Sequence, residues 1–227
     1  MVLEGSLIRD IESKKPHIQK GIIKWGEEHY RHFPWREKRT PYSVLVSEVL
    51  LKRTTASAAK RMYEKFMSLY PDLKALAKAD KEKLEKLLET IGYHKRRTTI
   101  LVEIANYILN KSDGRIPESR EELLEIPFVG PYTANSILSL GYNIPAAMVD
   151  SNVERIIKRL FFKHLSKTAS SRIVQKIADM LYLRDHHQEY NYALLDFGAA
   201  ICRYGKPKCE ACPIDESCDY YLLKAGS

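Results

Sequence analysis

Four cysteines are grouped near the carboxyl end of the 227-residue chain, and thiolates are good ligands for soft metals. Because all of them lie between positions 202 and 218, they do not form the dispersed disulfide framework of a secreted fold, and we expect one metal site. Four thiolates suit either structural zinc or an iron–sulfur cluster. Zinc ribbons usually carry two Cys-x-x-Cys knuckles and this chain has one, which favours the cluster. The predicted ligands are Cys202, Cys209, Cys212 and Cys218.

A second candidate for chemistry is Glu48, a carboxylate inside the apolar segment 43–51. The segment is apolar on nearly every side, which predicts a helix buried among other helices. A buried carboxylate either pairs with a cation or protonates more readily, and a general acid needs the second behaviour. An ion pair with Lys52 or Arg53 is the ordinary alternative, and the segment by itself favours neither.

The charge balance indicates a polyanionic partner. The chain has 37 Lys and Arg against 29 Asp and Glu, a net charge of +8, which favours nucleic acid first and an anionic membrane surface second. No apolar run approaches the roughly 20 residues that span a bilayer. The amino terminus also lacks the basic start and apolar stretch of a signal peptide. We therefore expect an intracellular protein, in the cytoplasm or nucleoid, without a membrane partner or a targeting signal.

The elements that position these side chains are predicted to be helices. Alternation of apolar and polar residues is scarce, whereas apolar residues recur at spacings of three and four in several windows. Ile100, Leu101, Ile104 and Ile108, for example, form one stripe. The chain is therefore predicted to be all-α. Further helices are expected near 55–69, 81–90, 151–162, 168–182 and 189–201.

The stretch from 117 to 140 predicts a tight helical hairpin. Ser119 and Glu122 form a capping box for a short helix, which Pro127 ends. Gly130 can cap a second helix and Pro131 suits its first position. The free N–H groups of that helix could hold a DNA phosphate. An ordinary helical hairpin, without a ligand, explains the turn equally well.

At this point a family resemblance becomes specific. The run Ile-Pro-Phe-Val-Gly-Pro-Tyr-Thr-Ala at 126–134, followed by Val-Asp-Ser-Asn-Val at 149–153, resembles the helix-hairpin-helix and catalytic aspartate motif of the endonuclease III superfamily of DNA glycosylases. The likeness also covers 33–36, 91–93 and every interval between the cysteines. One departure is Phe128, because the family usually has glycine there. The resemblance implies a six-helix barrel domain with the hairpin at 28–142, and an iron–sulfur cluster domain formed by both chain ends, 1–27 and 143–227.

The resemblance also implies catalytic roles. Asp150 matches the aspartate that stabilises the sugar cation or positions water as the base of a flipped nucleotide departs. Locally, Asp150 is also a good helix N-cap, but a capping box of Ser151 and Glu154 would leave it free. Glu48 would contact the flipped base or organise water. Tyr132 stands where bifunctional relatives carry a Schiff-base lysine, which predicts an enzyme without lyase activity.

The implied cofactor is one 4Fe-4S cluster, and the implied partner is double-stranded DNA with a mismatched or damaged base. Arg53 would enter the gap left by the flipped base, and Tyr93 would wedge the opposite strand. Phosphate contacts are expected from the hairpin and from the basic loop after the first cysteine. Their residues are Val129, Gly130 and Thr133, and Arg203, Lys206 and Lys208. The charge run 95–97 is read as a solvated face.

The sequence leaves two classes of base open, because two monofunctional groups of the family share a glutamate at the position of Glu48 and an aspartate at that of Asp150. Gly92-Tyr93 is similar to the adenine mismatch group, whereas the segment 51–56 is similar to the archaeal-type thymine/uracil-guanine group. The chain also ends soon after the cysteines, where adenine enzymes continue into a further domain. We therefore expect a monomeric glycosylase for thymine or uracil opposite guanine. The alternatives are an adenine glycosylase, a bifunctional glycosylase and lyase, and a non-catalytic DNA-binding module.

Overall fold

The computed structural model describes residues 3–165 and 169–225, and this part of the chain is all-helical, without a β-strand. The all-α prediction is thus confirmed. Within the described ranges, no helix combines the length and the apolar character needed to cross a membrane. The chain divides into two compact units, one formed by His32–Ile144 and the other by the residues up to Arg31 and from Pro145 onward. That they are a barrel domain and a cluster domain stays a prediction.

The His32–Ile144 unit begins with a short helix and ends in the predicted hairpin. A 3-10 turn, Glu89–Ile91, precedes α7, and a π-helical turn, Ile137–Gly141, continues α9. The helices are α2 (Pro34–Glu37), α3 (Pro41–Leu51), α4 (Ala56–Leu69), α5 (Leu73–Ala77), α6 (Lys81–Leu88), α7 (His94–Lys111), α8 (Arg120–Glu125) and α9 (Pro131–Ser136).

Local caps explain where these helices begin. Thr40 accepts a hydrogen bond from the backbone N–H of Ser43, and the Ser43 hydroxyl accepts one from the backbone of Thr40, so α3 starts in a reciprocal capping box. The Thr55 side chain caps α4 by accepting a hydrogen bond from the backbone N–H of Ala58. Behind its cap, α3 is buried continuously from Ser43 to Leu50, as its apolar character predicted.

The unit containing both chain ends is built around α1, α10, α11 and α12. Its helices are α1 (Gly5–Glu28), α10 (Ser151–Leu160), α11 (Ser171–Leu181), α12 (His187–Ala200) and α13 (Asp219–Ala225). The predicted helices at 151–162 and 189–201 are confirmed. Position 168, at the start of the predicted helix 168–182, lies outside the described residues. Helix α1 was not predicted, because Pro16 interrupts a pattern that otherwise buries Leu7, Ile11, Ile18 and Ile22.

Two contacts fix the segments that carry candidate residues in this unit. A Cβ added at Gly198 would lie 2.5 Å from the Cβ of Asn152, so only glycine lets α12 approach the start of α10 this closely. Asp219, at the start of α13, is buried and accepts a hydrogen bond of 2.8 Å from Lys14 of α1. The carboxyl-terminal helix is therefore tied to the first one.

Candidate active site

Glu48 lies in the buried run of α3 and is only 9% exposed. Burial lowers the pKa of Lys52, one turn further along, while the negative charge of Glu48 opposes that shift. The opposite charges of the two side chains therefore attract each other, and an ion pair between them stays a prediction. Lys52 also reaches the hairpin, because its Nζ lies 3.5 Å from the carbonyl oxygen of Phe128.

Arg97 ties the end of α3 to the turn before α7. Its guanidinium donates to the carbonyl oxygens of Val49 at 2.6 Å and of Gly92 at 3.0 Å, and a further bond reaches the carbonyl of Lys52. Arg97 is 1% exposed, so the prediction that the whole 95–97 run is a solvated face was wrong for this residue. Its fork of N–H donors satisfies carbonyl groups at the ends of two elements, which is why a charged side chain is buried there.

The structure brings Arg53 and Tyr93 together at this junction. Arg53 Nη1 lies 3.1 Å from the Tyr93 hydroxyl oxygen, and the guanidinium carbon lies 5.1 Å from the centre of the ring. Both residues have left-handed backbones, with φ of 55° and 58°. Tyr93 remains 52% exposed. The two residues therefore form one exposed cation–aromatic pair rather than two separate projections.

The hairpin forms where the sequence predicted it, but the cap of α8 is not the predicted capping box, because the Glu122 carboxylate accepts from the Ser119 hydroxyl and not from its backbone N–H. Ser119 caps α8 and hydrogen bonds the Glu122 carboxylate at 2.6 Å, while Gly130 and Pro131 occupy the cap and first position of α9. A Cβ added at Gly130 would meet no protein atom within 4 Å, so the protein leaves open space beside this backbone. The side chains of Val129 and Thr133 are buried. Only their backbone groups could therefore reach a phosphate.

Tyr132 and Phe128 flank that turn. Tyr132 lies in the first turn of α9 and is half-buried. Phe128 precedes the cap, has a left-handed backbone with φ of 64°, and is exposed. Its ring packs under the guanidinium of Arg96, whose carbon lies 4.9 Å from the ring centre.

Asp150 caps α10 with its carboxylate. Oδ1 accepts hydrogen bonds of 2.8 Å from the backbone N–H groups of Asn152 and Val153, and Oδ2 accepts one of 2.7 Å from the Asn152 side chain. The proposed capping box of Ser151 and Glu154 was wrong. Asp150 is the cap of α10, the N–H of Glu154 donates to the backbone carbonyl oxygen of Asp150 at 2.9 Å, and the Glu154 carboxylate pairs with Lys158 at 2.7 Å. Asp150 is half-buried, and a carboxylate held by three donors has a fixed orientation.

A chain of hydrogen bonds runs from Asp150 to the first cysteine. The Asn152 side-chain oxygen accepts a 2.8 Å bond from Arg155, and Arg155 Nε donates a 2.8 Å bond to the carbonyl oxygen of Cys202. Arg155 also donates to the carbonyl of Gly198 at 2.8 Å. The start of α10, the end of α12 and the cysteine loop are therefore fixed relative to one another.

The four cysteines are unpaired thiols of intermediate exposure. The pKa of Cys212 is raised to about 12 and that of Cys218 to about 11, chiefly by burial and in smaller part by the neighbouring cysteines. A bound metal would lower these pKa values, because it stabilises the thiolate forms. Arg159 also donates a hydrogen bond of 3.2 Å to the sulfur of Cys202. Among the described residues, however, no three His, Cys, Asp or Glu side chains are arranged to hold a metal ion, so the cluster stays a prediction.

The loop after Cys202 is basic and exposed, as expected. Arg203, Lys206 and Lys208 are all exposed to solvent, and Gly205 gives the loop a left-handed turn with φ of 72°. Arg159 of α10 donates a 2.9 Å hydrogen bond to the carbonyl oxygen of Arg203. The three cations are therefore presented by a loop that α10 holds in place.

Comparison with known proteins decides the family. Residues 46–180 match the HhH-GPD superfamily of base excision DNA repair proteins. The chain belongs to this superfamily. The HhH-GPD chain is 34% identical to a thymine/uracil-DNA glycosylase of Methanothermobacter thermautotrophicus over 213 residues, 92% of this chain and 95% of that one. It is likewise 34% identical to a thymine-DNA glycosylase of Aeropyrum pernix, over 90% and 94% of the two chains.

A solved structure gives the same result. The structure of a thermostable thymine-DNA glycosylase matches this HhH-GPD chain with a TM-score of 0.88 at 34% identity, over 93% and 98% of the two chains. The chain is therefore an enzyme of base excision repair, a DNA glycosylase, and the family resemblance in the sequence is confirmed.

The sequence analysis did not identify three residues whose hydrogen bonds hold the candidate site in place. Arg97 looked like part of a surface charge run, and nothing local distinguished it from Lys95 and Arg96. Asn152 belongs to the quoted motif and Arg155 follows it closely, but the contacts of Arg155 depend on α12 and the cysteine loop. A signal existed only for Asn152, because an amide two residues after a capping aspartate can reach its carboxylate.

Proposed function

We propose that this glycosylase removes thymine or uracil mispaired with guanine and leaves an intact abasic site. The observation that carries the substrate class is the similarity, along nearly the full length of both chains, to glycosylases named for thymine and uracil. Such a base arises when cytosine or methylcytosine opposite guanine is deaminated. On this proposal the protein works as a monomer on mismatched duplex DNA inside the cell.

Asp150 carries the central step of the proposed reaction. The N-glycosidic bond breaks, its electron pair leaves with the base, and positive charge develops on the sugar. A carboxylate beside that sugar stabilises the charge electrostatically, and water then adds to the anomeric carbon and loses a proton. The hydrogen bonds from Asn152 and the α10 backbone support this role, because they orient the carboxylate before the charge develops.

Two residues of the other unit have proposed roles in the same reaction. Glu48 contacts the flipped base or organises water, and the burial of α3 around it supports a role that depends on exclusion of bulk solvent. Tyr132 replaces the lysine of bifunctional relatives. Because a phenol cannot form a Schiff base with the sugar, the strand stays uncut.

DNA contacts are proposed at three exposed places. The Arg53–Tyr93 pair would fill the space around the flipped nucleotide, which suits a cation joined to an exposed ring. The open backbone at Gly130, between Val129 and Thr133, would hold a phosphate. Arg203, Lys206 and Lys208 would add further phosphate contacts.

We also propose that Cys202, Cys209, Cys212 and Cys218 hold one 4Fe-4S cluster. The spacing of the four cysteines and the hydrogen bond from Arg159 to the sulfur of Cys202 support this assignment. When bound, the cluster would fix the path of the 202–218 segment and would take no part in base removal. Purified protein should be brown with broad visible absorption, whereas a colourless protein with one zinc ion would contradict the proposal.

A panel of mismatched duplexes tests the substrate. The enzyme is incubated with T/G, U/G, A/G and A/oxidised-guanine duplexes, and abasic sites are revealed by alkali. We expect release from T/G and U/G, with uncut DNA before alkali. Release confined to the two adenine duplexes would refute the proposal, and absence of any release would favour a DNA-binding module.

Borohydride trapping tests the absence of a covalent intermediate. Reduction during turnover on a T/G duplex should yield no appreciable protein–DNA adduct. Tyr132→Lys provides the matched comparison, because an amine at this position should make trapping efficient. Efficient trapping of the unaltered enzyme would contradict the monofunctional assignment.

A further inference from the structure

Phe128 has a backbone conformation that its side chain disfavours. Among the described residues, five non-glycine residues have positive φ, and two of them, Asp113 and Asn143, are of types that tolerate it. The other three are Arg53, Tyr93 and Phe128. A bulky residue at positive φ is a real outlier, and glycine at position 128 would adopt the same turn without this strain.

The core of the protein gives no reason for a phenyl ring at this position. Phe128 is 36% exposed, whereas its neighbours Ile126 and Val129 are buried. The ring packs under the guanidinium of Arg96, itself an exposed residue of α7. A strained backbone that holds an exposed aromatic ring points to a contact outside the chain.

The surroundings of the ring are positively charged. Lys52 Nζ lies 3.5 Å from the Phe128 carbonyl oxygen, and Lys52, Arg53, Lys95 and Arg96 are all exposed. Arg97 joins the turns that carry these cations through its bonds to Gly92 and Lys52. An exposed ring among cations suits a nucleic acid, because the cations neutralise phosphates and the ring packs against sugars and bases.

We infer that Phe128 and Arg96 form an additional DNA contact beside the hairpin, in which the ring packs against the sugar and base of the strand whose phosphate Gly130 holds. Arg96 supports the ring from behind and neutralises a neighbouring phosphate. This contact rests on the proposed action on DNA, but not on which base is removed. It adds an apolar component to a hairpin that otherwise offers only backbone N–H groups.

The test compares affinity with stability in Phe128→Gly. Dissociation constants are measured by fluorescence anisotropy with a fully paired duplex and with a duplex that carries a tetrahydrofuran abasic analogue opposite guanine. Because loss of one aromatic stacking contact typically weakens nucleic-acid binding by about tenfold, we expect about that loss for the abasic duplex. We also expect a melting temperature that is unchanged or higher, because glycine relieves the left-handed strain.

Three further variants separate the contributions. Asp113→Gly replaces another left-handed residue by glycine and should leave affinity unchanged. Phe128→Leu keeps an apolar side chain and should lose less affinity than Phe128→Gly. Arg96→Gln should lower the slope of log affinity against log salt by about one, whereas Phe128→Gly should leave this slope unchanged.

The outcomes are distinct. Unchanged affinity in Phe128→Gly would overturn the inference and would leave the ring for another partner. Weaker binding that accompanies a fall in melting temperature would overturn it as well, because the ring would then be structural. Failure of the mismatch panel with the unaltered enzyme would refute the proposed substrate, but it would leave the binding comparison on paired and abasic DNA intact.

Discussion

The two compact units each contribute one candidate carboxylate, and they hold it in opposite ways. Asp150 sits at the start of α10, half-buried, with three N–H donors from within three residues of itself. Glu48 lies within α3 and is almost fully buried, and the nearby ammonium group of Lys52 carries the opposite charge. The first geometry is produced by the local chain, and the second by helices packed around it.

This difference indicates different tasks. A carboxylate that caps a helix is oriented by the backbone, so its oxygens are already in place when a cation develops beside them. A carboxylate inside a buried helix depends on a side-chain cation and on exclusion of water, so its charge responds to what binds nearby. Four variants test this difference between the two carboxylates.

The largest effect is expected for Asp150→Asn. Asparagine is an equally good helix cap, so the fold should persist, but the neutral amide cannot stabilise the sugar cation. We expect the single-turnover rate of base release to fall by about 10³-fold with little change in melting temperature. Asp72→Asn, at the cap of α5, is the matched control and should not affect the rate. An unchanged rate in Asp150→Asn would rule out the proposed mechanism.

Glu48→Gln should have the second largest effect. The amide preserves the shape of the side chain in α3 but removes its charge, so contact with the base or ordering of water is lost. We expect a loss of about 10²-fold in the single-turnover rate, with DNA affinity retained. Glu103→Gln, on the exposed side of α7, should behave as the unaltered enzyme. If Glu48→Gln retained full rate, the carboxylate would be merely structural.

A smaller loss is expected for Asn152→Ala. The variant keeps both backbone donors to Asp150 but removes the amide that holds Oδ2 and the link to Arg155. Because the carboxylate is then less firmly oriented, the rate should fall by about tenfold at unchanged DNA affinity. Asn106→Ala, on the surface of α7, serves as the control. If the melting temperature of Asn152→Ala fell together with the rate, the cause would instead be a packing defect against α12.

The smallest effect is expected for Lys52→Gln. Removal of the ammonium group takes away the positive charge that favours the ionised form of Glu48. The acidic limb of the pH–rate profile should therefore move to higher pH, by less than about one unit, with at most a few-fold lower rate at neutral pH. Lys60→Gln, on α4, should leave the profile in place. A shift to lower pH in Lys52→Gln would contradict the proposed attraction.

Local chemistry in the sequence was sufficient for much of this molecule. The apolar pattern predicted α3, α4, α6, α10 and α12, and Ser119, Gly130 and Pro131 predicted both helices of the hairpin. These features depend on neighbouring residues, through helix periodicity, fixed φ at proline and side-chain caps. The motif around Asp150 and the cysteine spacing were likewise visible, although roles for these residues came only with the resemblance to a family.

What the sequence determined by itself was therefore the helices, their caps and the chemical types available to the site. Only the tertiary structure decided that Arg97 is buried, that Arg53 pairs with Tyr93, that Arg96 covers Phe128, and that Asn152 links Asp150 to the cysteine loop. The physical reason is distance along the chain: partners 40 or 48 positions apart meet through packing alone, and no local pattern encodes which carbonyl or ring a side chain will reach.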